Sequence, residues 1–421
     1  MLPPALRHTG FRRLWTSLLC SGFAMQMASV AIGWQVYEIH HSAFDLGLIG
    51  LAEFLPVPLL ALPAGHIADR LPRVRLVMVW GLADAAVMAV LLVVTINGAD
   101  QLWQFLALAV VTGTLGALGN PAGRSLVPEL VPVELLTGAL ALRSIAGQTA
   151  TIAGPALGGL LFAIKPEAVY VLGLVLMLLS SALLVPVTPP PRQPASLAPA
   201  TRRGLLAGIG FIRATPIVLG AITLDLFAVL FGGAVALLPL FAKSILHVGP
   251  FGLGVLRSAV AVGALIAAIR LARRPLAGHA GRTLLVVVGV FGASMIVFGL
   301  SRWFWLSVLA LAVSGFADMF SMNIRSTTVA LATPNHMRGR VNAVEGVFIG
   351  ASNELGAFES GAAAALIGAV PAVVVGGALT VVLAVSWRFV FPSLAEVDRL
   401  EDIRPPERRQ PPPHAQPAGE L

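Results

Sequence analysis

The sequence predicts an all-α membrane protein of twelve transmembrane helices in two parallel six-helix halves, and three observations carry that prediction. Apolar runs of about 20 residues follow one another along nearly the whole chain, each long enough to cross a hydrocarbon core of about 30 Å. Arginines gather in alternate turns between those runs, the pattern that positive-inside insertion leaves in a sequence. Charged motifs of the first half recur in register in the second, about 200 residues on.

Composition points the same way. Of 421 residues, 57% are hydrophobic and only 11% charged, with a mean hydropathy of +0.87. Soluble globular chains carry roughly a quarter charged residues, so a water-exposed surface is short of what it needs. The net charge of +8 is dealt out in small groups between apolar spans and makes no continuous basic face, which argues against nucleic acid. Cys20 is the single cysteine, so an intramolecular disulfide is impossible.

Taken in order, the first span, near 14–36, follows Phe11-Arg12-Arg13. Its apolar stretch is too long for a signal peptide and lacks a small-residue cleavage site, so it reads as retained. The second, near 45–64, ends at Gly65-His66-Ile67-Ala68-Asp69-Arg70-Leu71-Pro72-Arg73-Val74-Arg75, a charged turn that belongs in water. Spans three to six lie near 76–96, 102–122, 137–163 and 168–187. The second set lies near 215–240, 250–269, 283–300, 303–324, 341–368 and 370–391. Between the sets, Pro189-Pro190-Pro191-Arg192-Gln193-Pro194 opens an extended, semi-rigid linker. The expected organisation is an N-terminal bundle over 1–187, a cytoplasmic linker over 188–214, a C-terminal bundle over 215–392 and a disordered tail over 393–421.

One set of turns carries Arg70, Arg73 and Arg75, then Arg124, Arg192, Arg202, Arg203, Arg270, Arg273, Arg274, Arg282, Arg338 and Arg340; the other holds only Lys165, Lys243 and Arg302. The rich set includes both ends, so both termini are expected in the cytoplasm of a bacterial inner-membrane protein. The repeat pairs Phe11-Arg12-Arg13 with Phe211-Ile212-Arg213, Arg70 and Arg73 with Arg270 and Arg273, and Arg124…Pro132 with Arg325…Pro334. Six helices separate the copies, so both run in the same direction, as in a six-plus-six transporter with its pathway between the halves.

Over residues 10–392 the chain resembles the major facilitator superfamily. The turn at 65–75 is similar to that family's loop between spans two and three, although Pro72 stands where glycine is usual and Val74 interrupts the run of bases. Gly154-Pro155-Ala156-Leu157-Gly158-Gly159 is similar to the span-five signature of exporters that exchange substrate for protons. Arg124-Ser125-Leu126-Val127-Pro128-Glu129-Leu130-Val131-Pro132 and Pro334-Asn335-His336-Met337-Arg338-Gly339-Arg340-Val341-Asn342 resemble the branch that includes the enterobactin exporter and related secretion proteins.

The resemblance implies a cytoplasmic gate made of Gly65, Asp69, Arg70, Arg73 and Arg124, with Asp69 pairing to Arg124 and facing the positive end of span eleven. Simple charge anchoring is the plainer account of the same turn. Gly154, Pro155, Gly158 and Gly159 read either as small residues for close helix packing or as a bend beside the pathway. Membrane carboxylates are the sharper signal, because an ion in hydrocarbon costs several kcal/mol. The candidates are Glu53, Asp84, Asp225, Asp318, Glu345, Glu354 and Glu359. Asp225 lies roughly 16 Å into span seven and Glu354 roughly 20 Å into span eleven, near the midplane. At 100° per residue Glu345, Ser352, Gly356 and Glu359 share one face of span eleven, and Glu354 points nearly opposite. Glu354, Asp225 and Glu359 are the candidates for proton coupling, since a carboxyl there is carried most cheaply protonated. Arg143 and Arg325 are expected to snorkel, with binding of an anionic group of a substrate as the alternative, and Arg257, flanked by apolar sequence, is harder to dismiss as a snorkelling side chain. Trp34, Trp103, Trp303 and Trp305 are expected at the membrane interfaces.

The sequence has no Gly-rich loop ending in Gly-Lys-Ser/Thr and no His-Glu-x-x-His motif. His40-His41 is a weak metal signal. The expectation is no cofactor, no metal and no enzyme: a monomer in the lipid bilayer that handles a small-molecule substrate and protons. The leading reading is proton-coupled export of a small amphipathic organic molecule, drug-like or a siderophore, by alternating access. The alternatives are a facilitator or importer and a non-transporting membrane partner.

Overall fold

The computed structural model describes residues 3–60, 72–98, 101–188, 202–274, 276 and 278–405. These residues are helical almost throughout: α1 (Thr9–His40), α2 (Ala43–Phe54), α3 (Arg73–Ile96), α4 (Leu102–Leu130), α5 (Leu136–Ile164), α6 (Pro166–Leu184), α7 (Arg202–Ala214), α8 (Pro216–Gly232), α9 (Gly249–Arg273), α10 (Ala280–Leu300), α11 (Phe304–Ala332), α12 (Arg338–Ile367), α13 (Ala369–Val390) and the short α14 (Pro392–Ala395).

Eleven helices among the described residues are long and apolar enough to cross a membrane. The expected eleventh span is α12, which falls outside that set despite its 30 residues. Asn342, Glu345, Asn353, Glu354 and Glu359 lower its hydropathy, yet at 1.5 Å per residue it is about 45 Å long. The fold is the major facilitator fold that the sequence implies.

Polar side chains and small residues join the helices, as they do where lipid offers no hydrophobic drive for association. Ser17 of α1 and Ser180 of α6 share a buried hydrogen bond of 2.7 Å. Tyr170 of α6 donates to Gln35 of α1, whose amide donates in turn to Thr95 of α3 at 3.0 Å. In the second half α10 packs on α13 and α11, and α9 on α11.

Packing between elements before residue 188 and those after 215 is carried by α5 on α9 and α2 on α12. Both contacts need glycine. A Cβ on Gly159 would run into the Pro250 carbonyl, and one on Gly254 into that of Pro155. Gly47 and Gly361 meet in the same way, a Cβ on Gly361 falling 2.8 Å from the Gly47 Cα. Tyr37 and Ser244 hydroxyls add a 2.8 Å bond, and Lys243 a 2.7 Å ion pair to Glu38. All these contacts lie toward the end of the bundle opposite the two termini.

Three expectations change. Span seven does not run unbroken to 240: α8 stops at Gly232, and the chain proceeds through short turns and a π-helical turn at Phe241–Ile245. Pro239, with no N–H to donate, sits in this interruption. The linker is not extended throughout, since 202–214 form α7, which packs on α12. The tail is ordered as far as residue 405: Leu394 and Ile403 are buried. The Asp398 and Val397 carbonyls accept from the Ala280 and Gly281 N–H groups, and the Asp398 carboxylate accepts from the His279 N–H at 2.7 Å. Those are free donors at the start of α10, so the tail caps a helix from 119 residues away.

Candidate functional site

A cavity of about 620 Å³ lies among α1, α2, α3, α4, α8, α9, α10, α11 and α12. Its wall is mostly apolar, with Met25, Phe291 and Met295 among its lining residues, and charge enters from four helices: Glu53 (α2), Arg257 (α9), Asp318 (α11) and Glu354 (α12). Such a volume and such a mixture suit a small organic molecule.

Two arginines organise the buried charge. Arg257 donates to the Ser29 hydroxyl of α1, so a residue of the second half reaches a helix of the first. The acid on which it acts is Glu53, and Glu53 in turn is the charge that acts on Glu354. All three line the same cavity. Close approach sets these positions: a Cβ on Gly113 of α4 would overlap the Glu53 carbonyl, and one on Gly50 of α2 would lie 3.2 Å from the Glu354 Oε2. Glu354 has no hydrogen-bond or ion-pair partner among the described residues, and its side chain rests on α2 across the seam.

The second arginine, Arg325 of α11, pairs with Asp225 of α8. Its Nε donates to Ser321 Oγ at 3.0 Å, and its Nη2 lies 3.9 Å from Asp318. Arg325 does not snorkel as expected. It is 7% exposed, because a neighbouring helix supplies a carboxylate that compensates its charge where the headgroups are out of reach.

The remaining candidates are dispersed. Glu359, like Asp84, is not among the residues that line the cavity. Gly154 and Gly158 face α1 at Gln26 and Met27, while Pro155 and Gly159 face α9, so the motif packs α5 on two sides. Pro155 lies inside a continuous helix. Arg143 is half-buried on α5. Arg73 pairs with Glu129 at the end of α4 at 2.6 Å; Gly65, Asp69 and Arg70 lie outside the described residues, as does the side chain of Arg124. Trp103, Trp303 and Trp305 are exposed, but Trp34 is buried at 6%. Helix α1 runs on to His40, which draws Trp34 into the bundle with Lys243 Nζ 5.5 Å from its ring centre. His40 bonds Asp45 at 2.8 Å, which accounts for it without a metal. Sequence reasoning missed Ser29 as the partner of Arg257, since a serine in a span carries no signal of its own.

The pattern described as transmembrane secretion effector matches residues 2–415. The chain belongs to that family. It is similar to the enterobactin exporter EntS of Shigella boydii, 28% identical over 91% of this chain and 94% of the relative. The EntS of Citrobacter koseri is 27% identical over the same shares. Among solved structures, a variant of the nucleoside transporter NupG superimposes with a TM-score of 0.75 at 12% identity, covering 91% of this chain and 100% of the other. A bacterial homologue of the iron transporter ferroportin, in an inward-facing state, gives 0.69 at 16% identity, covering 92% and 98%. These structures share the fold; the family makes the chain a membrane transporter and not an enzyme.

Proposed function

We propose that this transporter is a proton-coupled secondary exporter of a small amphipathic organic molecule, drug-like or a siderophore, working by alternating access. The observation that carries the reading is the central cavity, walled by helices of both halves and holding the unpaired Glu354 at the α2–α12 seam. A carboxylate without a partner near the membrane midplane is expensive, and binding a proton is its cheapest relief. The relatives named as enterobactin exporters support the direction and a siderophore-like substrate. In this reading residues 1–187 rock against 215–392, and the termini and the arginine-rich turns are cytoplasmic. In this reading the packing of α5 on α9 and of α2 on α12 closes the side away from the cytoplasm. The protein acts as a monomer. The turn at 65–75 with Arg124 would close the opposite side.

Proton coupling is tested in vesicles with an imposed pH gradient, comparing Glu354→Gln, Asp225→Asn and Glu359→Gln. Glu354→Gln is expected to abolish uphill export while downhill exchange persists. If all three variants keep full gradient-driven transport, the coupling mechanism is wrong. A phosphatase reporter checks the topology: it should be silent after residue 409 and active when placed within 97–100.

A further inference from the structure

The short helix α7 (Arg202–Ala214) is covered on one side only. Gly208 and Ile212 are buried, whereas Leu206, Ala207, Gly210 and Arg213 are exposed, Leu206 at 60%. The buried side rests on α12 and on α8. The fit is close at Gly208, where a Cβ would lie 3.0 Å from the Arg340 carbonyl oxygen. At 100° per residue the register puts Arg202, Arg203, Leu206, Gly210 and Arg213 on the other side. The helix contains no Asp or Glu, so that side is basic, with one large apolar residue among the arginines.

The chain also fixes the depth at which this side lies. Helix α7 ends at Ala214 and a span begins at Pro216, so only Thr215 separates the basic helix from the membrane. Thr215 is extended and Pro216 has no N–H with which to continue α7, so the two helices turn apart and do not form one rod. We propose that the uncovered side of α7 binds the headgroups of anionic phospholipids, its arginines on the phosphates and Leu206 at the boundary with the acyl chains. A planar guanidinium matches two phosphate oxygens at once, and each basic residue beside an anionic leaflet adds to the attraction. An exposed leucine between arginines is the pattern of a helix that lies in the interface plane. The inference requires neither proton coupling nor a direction of transport.

The test places a polarity-sensitive fluorophore at Gly210→Cys in the full-length protein, a position where a Cβ meets nothing within 4 Å. The native Cys20 is buried. The labelled protein is set in nanodiscs of phosphatidylcholine containing a rising fraction of phosphatidylglycerol. Emission is expected to strengthen and move to the blue as phosphatidylglycerol rises, while the same label at Asn97→Cys, at the far end of the bundle, does not respond. Arg213→Gln should raise the phosphatidylglycerol fraction at half response about fivefold, the equivalent of one arginine–leaflet contact. Replacing Arg202, Arg203 and Arg213 together by Gln should abolish the response. No response at position 210, an equal response at position 97, or a response that the triple variant keeps overturns the proposal. Emission that is already blue in pure phosphatidylcholine and indifferent to phosphatidylglycerol would place this side of α7 against protein, and overturns it too. The response of the helix with its arginines intact stands even if the triple variant fails to fold.

Discussion

The arginine cluster on α11 and the arginine cluster on α9 use the same residue types to opposite ends. Arg325 sits within the second half, with Asp225, Ser321 and Asp318 around it. Its charge is compensated by helices that all follow residue 215. Arg257 reaches across to Ser29, and the acids beside it, Glu53 and Glu354, come from α2 and α12 on opposite sides of the seam. Any separation of the halves must rearrange this second cluster and can leave the first unchanged. The difference teaches that an ion in a membrane helix is read by whose helix supplies its partner, not by its depth alone.

Breaking the first cluster should have the largest effect on stability. Arg325→Met leaves Asp225 buried with no cation, and loss of one partner from such a pair costs about 3–5 kcal/mol. The melting temperature in detergent should fall sharply, and Asp225→Asn added to Arg325→Met should recover much of the loss. Wild-type melting of the single variant would mean that the pair does not join α8 to α11.

The seam at the far end comes next. Gly159→Ala places a methyl on the Pro250 carbonyl, and overpacking of this kind costs about 1–3 kcal/mol. Labelling of a cysteine introduced at Ser244 should rise as that end loosens. Unchanged labelling and melting would show that α5 and α9 have room to spare there.

Glu354→Gln sharpens the comparison from the other side. With no ion pair to lose, the variant should melt within about 1 kcal/mol of the wild type or slightly above it, while its gradient-driven transport disappears. A large loss of stability would place Glu354 among the structural charges, with Asp225.

The smallest effect is expected at Lys243. Its pair with Glu38 is partly exposed, and pairs of that kind contribute about 0.2–1 kcal/mol. Lys243→Met should shift melting little and appear mainly as faster opening of the far end in single-molecule measurements. A loss as large as that of Arg325→Met would make this latch, and not the glycine seams, the main closure.

The sequence alone marked the apolar helical segments, eleven of which among the described residues are long and apolar enough to cross a membrane. Hydrocarbon excludes charge and unpaired backbone so strongly that apolar length and arginine placement write the span pattern directly into the order of residues. It also separated Glu354 from Glu359, because a 100° advance per residue is a local property of any helix; the cavity wall includes Glu354 and not Glu359. The tertiary structure alone decided the partners. Asp225 and Arg325 are 100 positions apart, and Ser29 and Arg257 are 228 apart. Helix rotation and tilt, set by glycine contacts such as Gly47 on Gly361, determine which faces meet. The same holds for Trp34, drawn inside by an extra turn of α1, and for residues 397–398, which cap α10. Exclusion from lipid acts on each residue by itself and is legible one position at a time. Pairing acts between faces of distant helices, and no single stretch of chain records it.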